Sequence, residues 1–159
     1  MIKAELNARV KFKLGDLWLR RALGAANKKI GKKKNYYVSV ALVGEARMRS
    51  LNEKYRAKSG ATDVLSFPAA KEVDGFISPK EKKVFLGEII ICPKVASRQA
   101  GAGGCTLTQE LQRLFIHGLL HLFGHEHRSA KGRKRMVMLE KRIIKIQEYK
   151  NIKIKNSFS

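Results

Sequence analysis

The segment from Leu107 to Phe123 constrains this chain more than any other stretch. Leu111, Leu114, Phe115, Ile116, Leu119, Leu120 and Leu122 would wrap nearly the whole circumference of a helix. Such a helix has no face to give to water, so it must lie at the centre of a fold with other elements around it. Thr106 and Gln109 stand at capping-box spacing and can start it. Gly124 can end it and reverse the backbone. His117 and His121 ride on it four residues apart, so their imidazoles leave one face on successive turns. Buried imidazoles are costly unless they are bonded to something.

All four histidines fall in His117-Gly-Leu-Leu-His121-Leu-Phe-Gly-His125-Glu-His127. Chance would gather them so tightly with odds on the order of one in a thousand. The spacing suits a metal ion. His117 and His121 offer two nitrogens, and beyond Gly124 the chain can bring His127 back as a third. Three protein ligands leave a fourth position for water, which distinguishes a catalytic zinc site from a closed structural one. One ion per chain is expected, with zinc the first choice, although nickel or another divalent ion suits the same imidazoles. The plainer reading, a hydrogen-bonded core histidine, serves for one residue better than for a spaced triplet.

His125 could replace His127 as the third ligand or stand beside the site as a proton shuttle. The span matches the zinc-protease pattern HExxHxxGxxH, which favours His127. That pattern also places a glutamate after the first histidine to deprotonate the metal's water. Here that position is Gly118. The scaffold is present and the protease's base is missing.

Charge narrows the substrate. Lysine and arginine total 34 against 13 acids, a formal net charge of +21. A surface so basic attracts polyanions, and nucleic acid is the expected partner, since each neutralised phosphate releases counterions. A solvated surface or an anionic membrane would be the alternatives. No run approaches the ~20 apolar residues of a membrane span, and Met1 to Val10 has no apolar core of a secretory leader. Cys92 and Cys105 lack CxxC spacing and read as free thiols of a reducing compartment. A cytoplasmic protein is expected, with neither membrane nor DNA as a partner.

The remaining pattern alternates helices and strands. Asp16 to Ile30 reads as a helix stopped by Gly31, Tyr36 to Val43 as a strand, and Glu45 to Tyr55 as a short helix. Thr62 to Phe67 is a strand ended by Pro68, Lys71 to Lys83 an exposed loop, and Val84 to Cys92 a third strand. Pro93 suits the first turn of the next helix, and Gly101 to Gly104 reads as a flexible connector. A last helix, Lys131 to Glu148, turns Met136, Leu139, Ile143 and Ile146 inward and its basic residues outward. The tail beyond Lys150 is expected to fray. This order predicts one domain over residues 1–159, an α+β or α/β arrangement around a small sheet.

At this point the residues suggest a family. HGLLHLFGHEH closely resembles the HGxLHLxGYDH signature of the YbeY family of rRNA-maturation endoribonucleases. Upstream, Leu51-Asn-Glu-Lys-Tyr-Arg56 and Thr62-Asp-Val-Leu-Ser-Phe-Pro68 resemble its LNxxYR and TDVLSFP segments, and Leu86-Gly-Glu-Ile89 its LGDI strand. The resemblance implies zinc at His117, His121 and His127, and a functional arginine at Arg56. It implies an α+β fold whose metal helix packs on a mixed sheet. It also implies single-strand-specific cleavage in 16S rRNA maturation and ribosome quality control, alongside the small ribosomal subunit. This chain departs from the pattern at His125, Glu126 and Glu88, where the family has tyrosine, aspartate and aspartate.

Arg56 has the planar fork that phosphate recognition uses, although alone it reads as a surface residue near a helix end. Glu126 or His125 could be the missing base, and Glu126 could equally orient a ligand. Thr62, Asp63 and Ser66 fit turn chemistry, while the resemblance puts them along the cleft. Lys131, Arg133, Lys134, Arg135, Lys141, Arg142 and Lys145, with Lys32 to Lys34, are a candidate RNA footprint. Two other classes compete: an RNA-binding ribosome-assembly factor with a structural zinc, and a zinc hydrolase of another substrate. Gly118 and the +21 charge speak against the latter.

Overall fold

A computed structural model describes residues 1–30, 34–69, 83–125 and 129–156. Within them the chain runs β1 (Ile2–Ala8), α1 (Leu17–Lys29), β2 (Asn35–Leu42), α2 (Glu45–Arg56), β3 (Val64–Pro68), β4 (Lys83–Ile91), α3 (Pro93–Ala102), α4 (Leu107–Leu122) and α5 (Ala130–Asn156). The four strands form one sheet in the order β1-β2-β4-β3. β1 and β4 pair parallel with β2, and β3 pairs antiparallel with β4, so the sheet is mixed and the fold is α+β.

β1 is an element that the apolar pattern signals and the reading above leaves out. Ile2, Ala4 and Leu6 alternate with Lys3, Glu5 and Asn7, the period of a half-buried strand. Asn27 of α1 clamps its start, donating from Nδ2 to the Ile2 carbonyl at 2.9 Å and accepting from the Ile2 amide.

The strand period sorts side chains into two cores. Val38, Val40, Leu42, Ile89 and Ile91 face one way, against Trp18, Leu19 and Ala22 of α1, the apolar residues of α4, and Met136 and Ile143 of α5. Ala41, Leu65, Ile90 and Cys92 face the other way, against Met48 and Leu51 of α2 and Val95 of α3. α4 packs on β3 and β4 and against the helices α1, α3 and α5. Leu111, Phe115, Ile116, Leu119 and Leu120 are all fully buried. The central helix is where the all-round apolar pattern puts it, because no orientation of that helix leaves a polar face for solvent.

Two boundaries differ from expectation. Gly101 belongs to α3 rather than to a connector, and the left-handed turn falls at Gly104, φ 66°. α5 continues past Glu148 to Asn156. Gly31, the loop residues 71–82 and the side chain of Ile146 lie outside the description. Cys92 is buried and Cys105 half-buried, both as free thiols. Among the described residues no helix is long and apolar enough to cross a membrane.

Candidate functional site

α4 begins with the capping box read from its sequence. The Gln109 amide donates to Thr106 Oγ1 at 3.2 Å, and the Thr106 amide donates to Gln109 Oε1 at 2.8 Å. It ends as the glycine requires. Gly124 adopts φ 81°, its amide donates to the His121 carbonyl at 2.9 Å, and the His125 amide donates to the Leu120 carbonyl at 3.0 Å. These are the two bonds of a Schellman motif, and they turn the chain back immediately after the second histidine.

One line of α4 escapes full burial. Arg113, His117 and His121, spaced i, i+4 and i+8, are half-buried, while the residues between them are buried. The Nε2 atoms of His117 and His121 approach to 3.2 Å, with ring centroids 4.8 Å apart. Two imidazole nitrogens on adjacent turns thus converge on one point. His127, the expected third member, and Glu126 lie outside the described residues. His125 is half-buried, and burial, followed by the nearby Arg135 guanidinium, holds it below the usual imidazole value.

The pair sits in a cleft of about 350 Å³. One wall is α4, contributing Arg113, His117, Gly118 and His121. Opposite stand Arg56, the last residue of α2, and the edge strand β3 with its lead-in. After Arg56 the chain leaves the helix through Ala57 in the left-handed conformation, φ 51°. Asn52 Nδ2 then ties the returning loop by donating to the Gly60 carbonyl at 3.0 Å. Asp63 Oδ1 accepts from the Val64 amide at 2.7 Å and from Thr62 Oγ1 at 3.1 Å, so Thr62 and Asp63 both shape the turn and line the cleft. Ser66 lines it as well, whereas Phe67 packs edge-on against Tyr55 on the other face, 5.1 Å between centroids.

Gly118 has a steric cause. A Cβ there would lie 3.0 Å from Ile89 Cγ2 and 3.2 Å from Ile89 Cγ1, because α4 presses on β4 at this point. A side chain at this step, such as the glutamate of zinc proteases, would press on Ile89 and require it to shift.

Two residues absent from the sequence reading support His117: Arg113, which lines the cleft, and Glu140 behind it. Glu140 of α5 directs Oε2 to His117 Nδ1 at 3.2 Å, and its Oε1 lies 3.7 Å from Arg113 Nη1. Arg113 is itself held by Glu110, Nη2 to Oε1 at 2.5 Å and Nε to Oε2 at 3.0 Å. That double contact with Glu110, the largest influence, raises the Arg113 guanidinium above its ordinary value. A signal for each exists in the sequence: Arg113 is four residues before His117, and Glu140 falls between the inward Met136 and Ile143.

Glu88 is not part of this cleft. It lines a separate hollow of about 370 Å³ with Arg9, Arg47 and Tyr55, over Ala41 and Ile90 on the opposite face of the sheet. Arg133, Lys134, Arg135, Lys141, Arg142 and Lys145 are exposed on α5, while the side chain of Lys131 and residues 32–33 are outside the description.

Comparison with known proteins follows the same residues. A family model described as Endoribonuclease YbeY matches residues 2–148. The Endoribonuclease YbeY of Deinococcus radiodurans is 42% identical over 114 residues, covering 72% of this chain and 70% of that protein. Those of Thermodesulfovibrio yellowstonii and Myxococcus xanthus are each 42% identical over 67% of this chain, which spans 64% and 35% of their respective lengths. The solution structure of TM1509 from Thermotoga maritima matches all of this chain and 96% of that one, at TM-score 0.63 and 27% identity.

Proposed function

This chain belongs to the Endoribonuclease YbeY family, and on that premise we propose that it is a zinc-dependent endoribonuclease cleaving single-stranded ribosomal RNA. The carrying observation is the pair of imidazole nitrogens 3.2 Å apart in a cleft that also holds Arg56. Two nitrogens bound to one tetrahedral zinc at ~2.0–2.1 Å lie about 3.3 Å apart, so the spacing of His117 and His121 fits the ion. His127, just past the Gly124 reversal, would supply the third nitrogen. The chemistry supplied by such an ion is Lewis acidity toward a phosphoryl oxygen and the attacking water.

The chain's own residues do the rest. Arg56 stands across the cleft from the histidines with a planar, permanently charged fork suited to two phosphate oxygens. There it orients the scissile phosphodiester and stabilises the charge that grows as the bond breaks. Asp63, accepting from the Val64 amide, and Thr62, donating to the Asp63 carboxylate, keep the wall at the head of β3 rigid. The net charge of +21, with the exposed arginines and lysines of α5, draws the RNA backbone to this side. The physiological setting we propose is 16S rRNA maturation and ribosome quality control on the small ribosomal subunit, in the cytoplasm.

The test is cleavage of a labelled single-stranded RNA by the purified protein and by His117→Ala, His121→Ala and Arg56→Ala, with metal content measured on each. The histidine variants are expected to lose the metal and the activity together. Arg56→Ala should keep the metal and lose about 100-fold to 1000-fold in rate, the scale seen when one donor to a developing oxyanion is removed. Full-rate cleavage by the chelated protein, or by Arg56→Ala, would overturn the proposal.

A further inference from the structure

α5 is strongly basic, yet it turns a carboxylate inward. Glu140 lies four residues after Met136 and three before Ile143, both fully buried, and its side chain is only 13% exposed. A carboxylate in that position is costly unless both its oxygens are used. They are divided between two partners: Oε1 stands 3.7 Å from Arg113 Nη1 and Oε2 stands 3.2 Å from His117 Nδ1. Arg113 cannot drift, because Glu110 grips it through two nitrogens. Glu110, Arg113, Glu140 and His117 therefore form one ordered chain of alternating charge that ends on the imidazole.

We propose that Glu140 is a positioning residue that selects the working tautomer of His117. The carboxylate can only accept, so the proton of a neutral His117 is placed on Nδ1. Nε2 is then left with its lone pair, and it is Nε2 that faces His121 at 3.2 Å. A neutral imidazole without this partner distributes its proton over both nitrogens, and the form protonated on Nε2 cannot ligate there. Arg113 aligns the carboxylate by occupying its other oxygen. The assignment rests on the reading of His117 and His121 as metal ligands, and partners of this kind are typically worth about 10-fold to 100-fold in metal affinity.

Glu140→Gln separates this role from mere bridging of α4 and α5. Arg113 has no acceptor and demands the amide oxygen, which turns the amide NH₂ toward His117 Nδ1 and selects the wrong tautomer. In the metal-stripped protein, long-range ¹⁵N–¹H spectra should show His117 protonated on Nδ1 in the wild type and on Nε2 in Glu140→Gln. Zinc titrated into the two proteins should bind the variant about 10-fold to 100-fold more weakly. Arg113→Met added to Glu140→Gln frees the amide to rotate, and should restore the Nδ1 proton and part of the affinity. A bridging role alone predicts the opposite order, with the double variant the worse of the two. The assignment is overturned if Glu140→Gln, folded by its unfolding temperature, keeps the Nδ1 proton and binds zinc like the wild type. Should the wild type itself take up no zinc, the metal reading fails, and the tautomer spectra still decide for or against Glu140.

Discussion

Gly87 offers the sharpest test of how the fold builds the cleft's edge strand. β4 pairs with β2 in two registers, Phe85 opposite Tyr37 and Gly87 opposite Val38, so Leu86 is one residue extra on β4. The bulge puts Gly87 at φ 132°, a region that side chains rarely adopt. It also brings β3 very close. A Cβ on Gly87 would stand 2.1 Å from the Phe67 carbonyl oxygen, 2.8 Å from the Ala69 nitrogen and 2.9 Å from Pro68 Cα. All three are backbone atoms, so nothing swings aside. Gly87→Ala therefore combines a backbone strain of ~1–3 kcal/mol with overpacking of another ~1–3 kcal/mol, and a total of roughly 2–6 kcal/mol is expected. Against a typical stability of about 5–15 kcal/mol that is a large share. With about 2–4 °C lost per kcal/mol in a chain of this size, the melting temperature should fall by roughly 4–24 °C.

The control is Gly60→Ala. Gly60 has φ 90° with no atom within 4 Å of its would-be Cβ, so it carries strain without collision. Thermal and urea unfolding of both variants, monitored by circular dichroism, should leave Gly87→Ala less stable by at least ~1 kcal/mol, the low end of the overpacking range. Equal losses in the two would refute the claim that close approach of β3 dictates this glycine. Activity follows from the same geometry, because Val64 and Ser66 of β3 line the cleft and a displaced strand moves that wall.

Thr106→Ala removes the Oγ1 acceptor of the capping box, leaving the residue-106 amide bonded to Gln109 Oε1, and should cost about 1 kcal/mol in urea unfolding, while Thr106→Ser recovers most of it. Glu45 is held at about 2, first by the Arg98 hydrogen bond and then by Lys94. A depressed carboxyl contributes stability above its unfolded value near 4.5, and that contribution is lost as the pH falls through about 2. Its side-chain carboxyl carbon resonance should titrate near that lower value, and Arg98→Met should move the midpoint up toward 4.5. An unmoved midpoint would show that the ion pair is not its cause.

Much of the cleft was legible because it is governed by local rules. The helical period aligns His117 with His121 without reference to any other element. A glycine at the seventh step forces the reversal, and Thr106 with Gln109 caps the helix through bonds that span three residues. Arg56 entered only through resemblance. Nothing local marks it, since its place across from the histidines depends on how α2 and the loop after it return to the sheet.

What the amino-acid order determined alone is periodic or short-range: a central apolar helix, two imidazoles on one face, and a turn after them. Tertiary structure decided what surrounds those imidazoles. It brought Glu140 from 23 residues away onto His117 Nδ1, set Gly118 tightly against the Ile89 side chain, and turned Glu88 to the far side of the sheet. The difference is physical. Helix periods and backbone torsions act within a few residues, whereas the direction in which a buried carboxylate finds its partners is fixed only when separate helices and strands pack.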